Sequence, residues 1–190
     1  MQPDFTKYIW TAWIGVIIVW VVGALVTKRT ARRQSAGSRL FQIGIGALAF
    51  YLLYRDKLSL GLLAQRFVPR TPAVAWLGLI LTYSGCALAV LARFYLGGNW
   101  SGTVTIKEDH TLVRTGPYAV VRNPIYTGFL VAILGSALAS GQLRDLAACA
   151  VLLGMFVYKI RVEERFMIEQ FGEQYLQYKR ETKALVPYVW

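Results

Sequence analysis

The chain has one histidine, His110, two cysteines and only ten acidic residues among 190. His110 stands near Glu108 and Asp109 with no cysteine nearby, too few ligands at usable spacing for a metal, so none is expected. Cys86 and Cys149 fall in separate apolar runs and read as small packing residues rather than a disulfide. The cores of those runs hold no Asp, Glu, Lys, Arg or His, and no repeated half is visible. Both absences count against a transporter or channel.

Apolar residues are abundant instead. The chain is 56% hydrophobic and 16% charged, which puts it in the integral membrane class. Five apolar runs occupy 8–27, 40–54, 73–92, 125–140 and 146–158. The first and third have the length of about 20 residues that crosses a bilayer, and the others borrow flanking residues such as Arg55, Lys159 and Arg161, which snorkel to the interface. The first run is too long for a signal peptide core, and no small-residue cleavage site follows it. The net charge of +11 sits mostly in short loops, not in a basic arm, so it reports topology and not nucleic acid.

Basic residues concentrate after runs one, three and five, which predicts an outside N-terminus and a cytosolic C-terminal tail. Segments 97–124 and 159–190 then face the cytosol together. The expected fold is all-α and polytopic, with about five transmembrane helices, the last two forming a hairpin across Gly141-Gln-Leu-Arg144, followed by a cytosolic helical segment. The expected division is 1–96, transmembrane helices, and 97–190, the functional core. Segment 28–38 reads as a solvated basic loop and 58–72 as an interfacial connection. Gly44-Ile-Gly46 lacks a preceding strand, so small-residue helix packing explains it better than a nucleotide turn.

Polar chemistry gathers in two places. In Gly116-Pro-Tyr118, Arg122-Asn-Pro-Ile-Tyr126 and Gly128, glycine and proline set a turn and Pro124 opens a helix. A helix N-terminus offers free N–H groups to an anion, and Arg122 adds a permanent charge suited to a carboxylate. The second place is Arg161-Val-Glu-Glu164, directly after the fifth run, where paired carboxylates are expensive unless they meet cations or donors. If the helix continues, Arg161 and Arg165 form a self-contained ion cluster with the acids. The functional alternative is a carboxylate that binds a ligand. Tyr175 and Tyr178, three residues apart, lie on the membrane surface or roof a pocket.

These residues together resemble the isoprenylcysteine carboxyl methyltransferase family, membrane enzymes that use S-adenosylmethionine. The resemblance runs from about residue 97 to 187 and rests on His110-x-Leu-Val-x-x-Gly-x-Tyr118, Arg122-x-Pro124-x-Tyr126-x-Gly128, Glu163-Glu164 and Phe171-Gly-Glu-Gln-Tyr175-Leu-Gln-Tyr178 with Pro187. It implies a cytosolic cofactor site built from His110, Leu112, Val113, Gly116, Pro117, Tyr118, Arg122, Asn123, Pro124, Tyr126, Gly128, Glu163 and Glu164. Arg122, Asn123 and Glu164 would carry the reaction, and Arg161, Tyr175 and Tyr178 would meet the substrate. Two departures stand out: Asn123 occupies a position where the family usually has histidine, and Glu181-Thr-Lys183 replaces the Arg-Val-Pro common in eukaryotic members. Asparagine can hydrogen-bond in place of histidine but cannot titrate as a base.

The implied function is methyl transfer from S-adenosylmethionine to a lipophilic acceptor drawn from the bilayer, most readily a carboxylate. Membrane lipids and that acceptor are the implied partners, and the short chain is similar to prokaryotic members of an inner or plasma membrane. A phospholipid, amine or thiol methyltransferase shares the architecture. A small transporter or a membrane scaffold is the non-enzyme alternative, and a scaffold leaves the Glu163-Glu164 pair unexplained.

Overall fold

The computed structural model describes residues 5–25, 30–33, 36–54, 61–100, 105–107 and 111–190. Six α-helices dominate: α1 (Phe5–Ala24), α2 (Ala36–Tyr54), α3 (Pro72–Leu96), α4 (Pro124–Ser140), α5 (Leu143–Phe171) and α6 (Glu173–Glu181). The all-α expectation needs one addition. Thr30–Arg33 (β1) pairs antiparallel with Thr105–Lys107 (β2), so part of the expected basic loop is a short ribbon. Thr30-Ala-Arg-Arg33 carries no apolar alternation that could signal a strand.

α3 and α4 form the centre, held by glycines at seven-residue spacing. A Cβ on Gly85 would come within 2.4 Å of the Ala132 nitrogen, and one on Gly128 within 2.6 Å of the Gly85 oxygen. Gly78 and Gly135 repeat the approach one step along, so the two backbones touch where side chains would hold them apart. Thr82 fills the gap between these contacts, fully buried, and donates to the Gly78 carbonyl at 2.9 Å. Gly44 and Gly46, by contrast, face open space. The close-packing role expected for that pair belongs to α3 and α4 instead.

α1 lies on this pair, with Ala12 and Val16 packed against Cys86 and Ala132. Trp13 reaches over to donate its indole N–H to Ser136 Oγ at 3.2 Å. Its other face is apolar and open, including Ile17, Ile18, Val21 and Val22. α1 and the helical stretch Pro72–Asn99 are long and apolar enough to cross a membrane, and Leu40–Ala49 and Pro124–Ser140 are shorter apolar helices. Cys86 and Cys149 are both buried and free.

The expected hairpin is present. α4 ends at Gly141, whose φ of 75° is left-handed, and α5 starts two residues later. A side chain on Gly141 would also strike Arg66, which donates to the Ser140 carbonyl at 2.7 Å. α5 then continues well beyond the fifth apolar run to Phe171, which carries Arg161, Glu163 and Glu164 on one unbroken helix. Gly172 turns the chain into α6.

Candidate functional site

One end of the bundle encloses a cavity of about 380 Å³. Its walls come from the ends of α1 and α3, the loop before α4, the start of α4, the polar extension of α5, and α6. Thus the two segments that the sequence analysis singled out meet at the same end. Leu112, Val113, Tyr118, Arg122, Asn123, Tyr126, Glu163, Tyr175 and Tyr178 all line this space.

Glu163 and Glu164 part company here, because successive helical residues point about 100° apart. Glu163 faces the cavity and accepts a hydrogen bond from the Tyr126 hydroxyl at 2.8 Å. Burial holds its carboxyl above the usual range, against the opposing pull of Lys159 and the Tyr126 bond. Glu164 is off the cavity wall. One of its oxygens accepts from Arg122 Nε at 3.0 Å and Nη2 at 2.7 Å, and the other from Lys179 Nζ at 2.6 Å. Arg122 also donates to the carbonyls of Lys179 and Thr182. The carboxylate that Arg122 was expected to attract is therefore one of the chain's own. Arg161 and Arg165, expected beside the acids, are exposed, and neither lines the cavity.

The C-terminal residues form a strap over the loop before α4. Arg122 N donates to the Lys183 carbonyl at 2.8 Å, and Asn123 uses both its backbone N and its Nδ2 on the Ala184 carbonyl, at 3.0 and 3.1 Å. Thr127 Oγ1 donates to the Leu185 carbonyl at 2.8 Å, and Tyr178 Oη to the Tyr118 carbonyl at 2.5 Å. Tyr175 and Tyr178 are thereby buried as the roof. Burial raises both phenols, Tyr178 to about 12, with Arg122 and Arg114 pulling the other way there.

Several motif residues shape the site from behind. Pro124 begins α4 and is fully buried, and Gly128 is spent on the α3 contact. Gly116 has φ of 59°, and a side chain there would overlap the Tyr95 ring, so only glycine lets this turn close on α3. None of Gly116, Pro117, Pro124 and Gly128 lines the cavity. His110 lies outside the described residues.

Other wall residues escaped the sequence reading. Trp20, Leu96, Asn99, Trp100, Phe129, Lys159, Phe166 and Met167 also line the space. Tyr126 stacks on Phe156 with centroids 4.9 Å apart, and Lys159 Nζ lies 5.4 Å from the Tyr126 ring. Lys159 was legible as the residue four before Glu163, one helical turn away. Trp20 and Trp100 carried no such signal. Arg93, with its guanidinium 4.4 Å from the Trp100 ring centroid, ties that corner to α1 by donating to the Gly23 carbonyl at 2.7 Å.

The fold has a solved counterpart. The eukaryotic intramembrane Ras methyltransferase, an isoprenylcysteine carboxyl methyltransferase, superposes with a TM-score of 0.56 at 24% identity, over 79% of this chain and 63% of that one. In sequence, the chain is similar to protein-S-isoprenylcysteine O-methyltransferases. It is 34% identical to that of Saccharomyces cerevisiae over 58% of this chain and 50% of the relative, and 34% identical to that of Schizosaccharomyces pombe over 52% and 43%. The Rattus norvegicus protein is 29% identical over 65% and 45%. The chain thus spans about half the length of these curated relatives. A family model described as phospholipid methyltransferase matches residues 73–174, from the start of α3 to the start of α6. With more than half of its length inside that match, the chain belongs to the phospholipid methyltransferase family.

Proposed function

We propose that the chain is an integral membrane methyltransferase that uses S-adenosylmethionine and methylates the carboxylate of a lipophilic, isoprenylcysteine-like acceptor. The observation that carries this reading is the cavity that joins Glu163, Tyr126 and Asn123 to aromatic walls at one end of an apolar bundle. The similarity to isoprenylcysteine O-methyltransferases supports it.

The donor set suits the cofactor. A volume of about 380 Å³ is in the range of small-molecule sites. Tyr118, Tyr126 and Phe129 make the wall aromatic, and Glu163 offers a carboxylate to hydroxyl or ammonium donors. When bound, the cofactor supplies an electrophilic methyl group on sulfur.

The chain's own contribution is binding, orientation and exclusion of water. Tyr126 fixes the Glu163 carboxylate by one hydrogen bond, leaving its remaining acceptor capacity for a ligand. Arg122 and Glu164 neutralise one another and hold α6 and the strap, so that Tyr175 and Tyr178 cover the cavity. Asn123 is fixed by Ala184 with its amide on the wall, a hydrogen-bonding surface without a base. An ionised carboxylate acceptor needs none, so positioning supplies much of the catalysis. In this reading residues 97–190 carry the machinery and 1–96 supply membrane helices and part of the wall. About five helices span an inner or plasma membrane of a prokaryote, with the N-terminus outside and the cavity open to the cytosol and the bilayer.

The family description favours a second reading, in which the acceptor is a phospholipid amine. An amine must lose a proton, and Glu163 is then the evident acceptor on the wall. Calorimetric titration of the purified protein with S-adenosylhomocysteine tests the shared core of both readings. Saturable one-to-one binding is expected, and no binding by folded protein would overturn them.

A further inference from the structure

The bundle has a second recess at the end away from the first cavity, of about 270 Å³, where the starts of α1 and α3 and Ala139 of α4 surround Arg66 and Arg70. Among the described residues no Asp or Glu lines it. Asp145, at the adjoining α4–α5 turn, is buried and already accepts from Ser140 Oγ, with Arg144 Nε 4.0 Å away. Positive charge therefore gathers here without a carboxylate on the wall to balance it. Topology does not account for it either, because basic residues concentrate after the first, third and fifth apolar runs, and Arg66 and Arg70 lie between the second and third.

Arg66 is held in place by the fold. Phe67 N donates to the Gly141 carbonyl and Leu143 N to the Gln65 carbonyl, both at 2.9 Å, so backbone bonds on either side of Arg66 clamp its segment to the α4–α5 turn. The guanidinium spends Nη1 on the Ser140 carbonyl at 2.7 Å and Nε on the Val68 carbonyl at 3.3 Å, which leaves Nη2 to donate to another acceptor. A guanidinium fixed this way loses little freedom when an anion arrives, and its planar fork suits phosphate oxygens. Arg70, exposed on the same wall, brings a second charge.

Position along the bundle narrows the anion. α3 runs from Pro72 in this recess to Leu96 in the first cavity, 25 residues that rise about 37 Å. A hydrocarbon core is about 30 Å thick, so a chain that spans the bilayer puts the recess at the headgroup level of the leaflet opposite the first cavity. Trp76, one turn in from Pro72, is exposed and packs edge-on against Phe5 at 5.3 Å, as suits a Trp at a membrane–water interface. Ile80, a turn further along the same face, is exposed and offers apolar surface to an acyl chain. An ethanolamine or choline head would set its own cation against two arginines, with no carboxylate on the wall to receive it.

We propose that this recess binds the headgroup phosphate of an anionic phospholipid, with Arg66 and Arg70 as its ligands and an acyl chain laid along Trp76 and Ile80. The proposal stands apart from the methyl transfer reading and needs only a chain that lies in a bilayer.

The test titrates phosphatidylglycerol, phosphatidylethanolamine or inorganic phosphate into the intact purified protein in neutral detergent, with native mass spectrometry to count retained lipid and thermal unfolding to follow affinity. Arg66 also holds the α4–α5 turn, so the variant is Arg70→Gln, which changes only an exposed side chain. Arg180→Gln removes an equal charge from exposed α6 as the control. The wild type is expected to retain phosphatidylglycerol and gain Tm from it, Arg70→Gln to bind it about tenfold more weakly through loss of a charged hydrogen bond, and Arg180→Gln to match the wild type. Binding of phosphatidylethanolamine is expected to be the same in all three. Unchanged phosphatidylglycerol affinity in folded Arg70→Gln would overturn the proposal, as would an equal loss in Arg180→Gln, which marks diffuse charge attraction, or an equal loss for phosphatidylethanolamine. An Arg70-dependent rise in Tm of the same size with inorganic phosphate alone would replace the lipid by a free anion and overturn it too.

Discussion

Removing the Glu164 carboxylate separates its role from that of its neighbour. Glu164 is 8% exposed and receives three charged hydrogen bonds, two from Arg122 and one from Lys179. The Arg122 side chain is 7% exposed, so Glu164→Ala strands a buried cation, a change that costs about 3 to 5 kcal/mol when nothing else compensates. Here the carbonyls of Lys179 and Thr182 still receive Arg122, and Lys179, at 43% side-chain exposure, recovers water. A loss of about 2 to 4 kcal/mol is therefore expected, which lowers Tm by roughly 4 to 16 °C for a chain of this size. Glu163→Ala removes a cavity-facing acceptor instead. It should leave Tm within a few degrees and weaken S-adenosylhomocysteine binding by about 1.5 to 3 kcal/mol, the loss of a charged hydrogen bond. Thermal unfolding and ligand titration on both variants in one detergent read the two effects. The reverse pattern, with Glu164→Ala stable and ligand-blind and Glu163→Ala unstable, would refute the assignment.

Three further outcomes are expected. Asn123→His should bind the cofactor like the wild type with no new pH dependence of turnover, and Asn123→Ala should lose about 1 to 3 kcal/mol of binding through an unmet partner; a turnover gain in Asn123→His that titrates near pH 6.5 would favour an amine or thiol acceptor. Gly128→Leu should abolish the α3–α4 contact, since even a Cβ meets the Gly85 carbonyl at 2.6 Å, and normal expression and Tm in that variant would contradict the packing. Glu163 has a folded-state pKa raised above the ordinary 4.5, so the folded state holds its proton more tightly and stability falls as pH rises from about 4.5 through the raised value. Glu163→Gln should flatten that decline in Tm, and an unchanged slope would mean that another group causes it.

The central helices were legible because an apolar run met a stop that chemistry dictates, Pro72 and Pro124 at the starts of α3 and α4 and Gly141 at the end of α4, whereas the polar extension of α5 to Phe171 had no apolar run to mark it. The motifs around Tyr118, Tyr126 and Glu163 marked the site for the same reason, since polar residues at the end of an apolar run need partners. The resemblance to isoprenylcysteine carboxyl methyltransferases is borne out by the sequence relatives and the shared fold. Local reading could not divide labour among the motif residues. Whether Glu163 or Glu164 faces the cavity depends on helix rotation against α4 and α6, and Gly128 looks the same whether it meets a ligand or Gly85. Trp20 reaches the site from α1, far away in sequence, and Asn99 and Trp100 lie inside segment 97–124 but outside its motifs, so no spacing revealed them.

The central claim, methyl transfer to a lipophilic carboxylate, is tested most directly by supplying methyl-labelled S-adenosylmethionine with an S-prenylated cysteine or with phosphatidylethanolamine. A methyl ester releases its label as methanol in mild alkali, and an N-methyl group does not. The account predicts alkali-labile label on the prenylcysteine, lost in Glu163→Ala. Alkali-stable label on the phospholipid alone would contradict the carboxylate reading, and no transfer to either acceptor by protein that binds S-adenosylhomocysteine would contradict both.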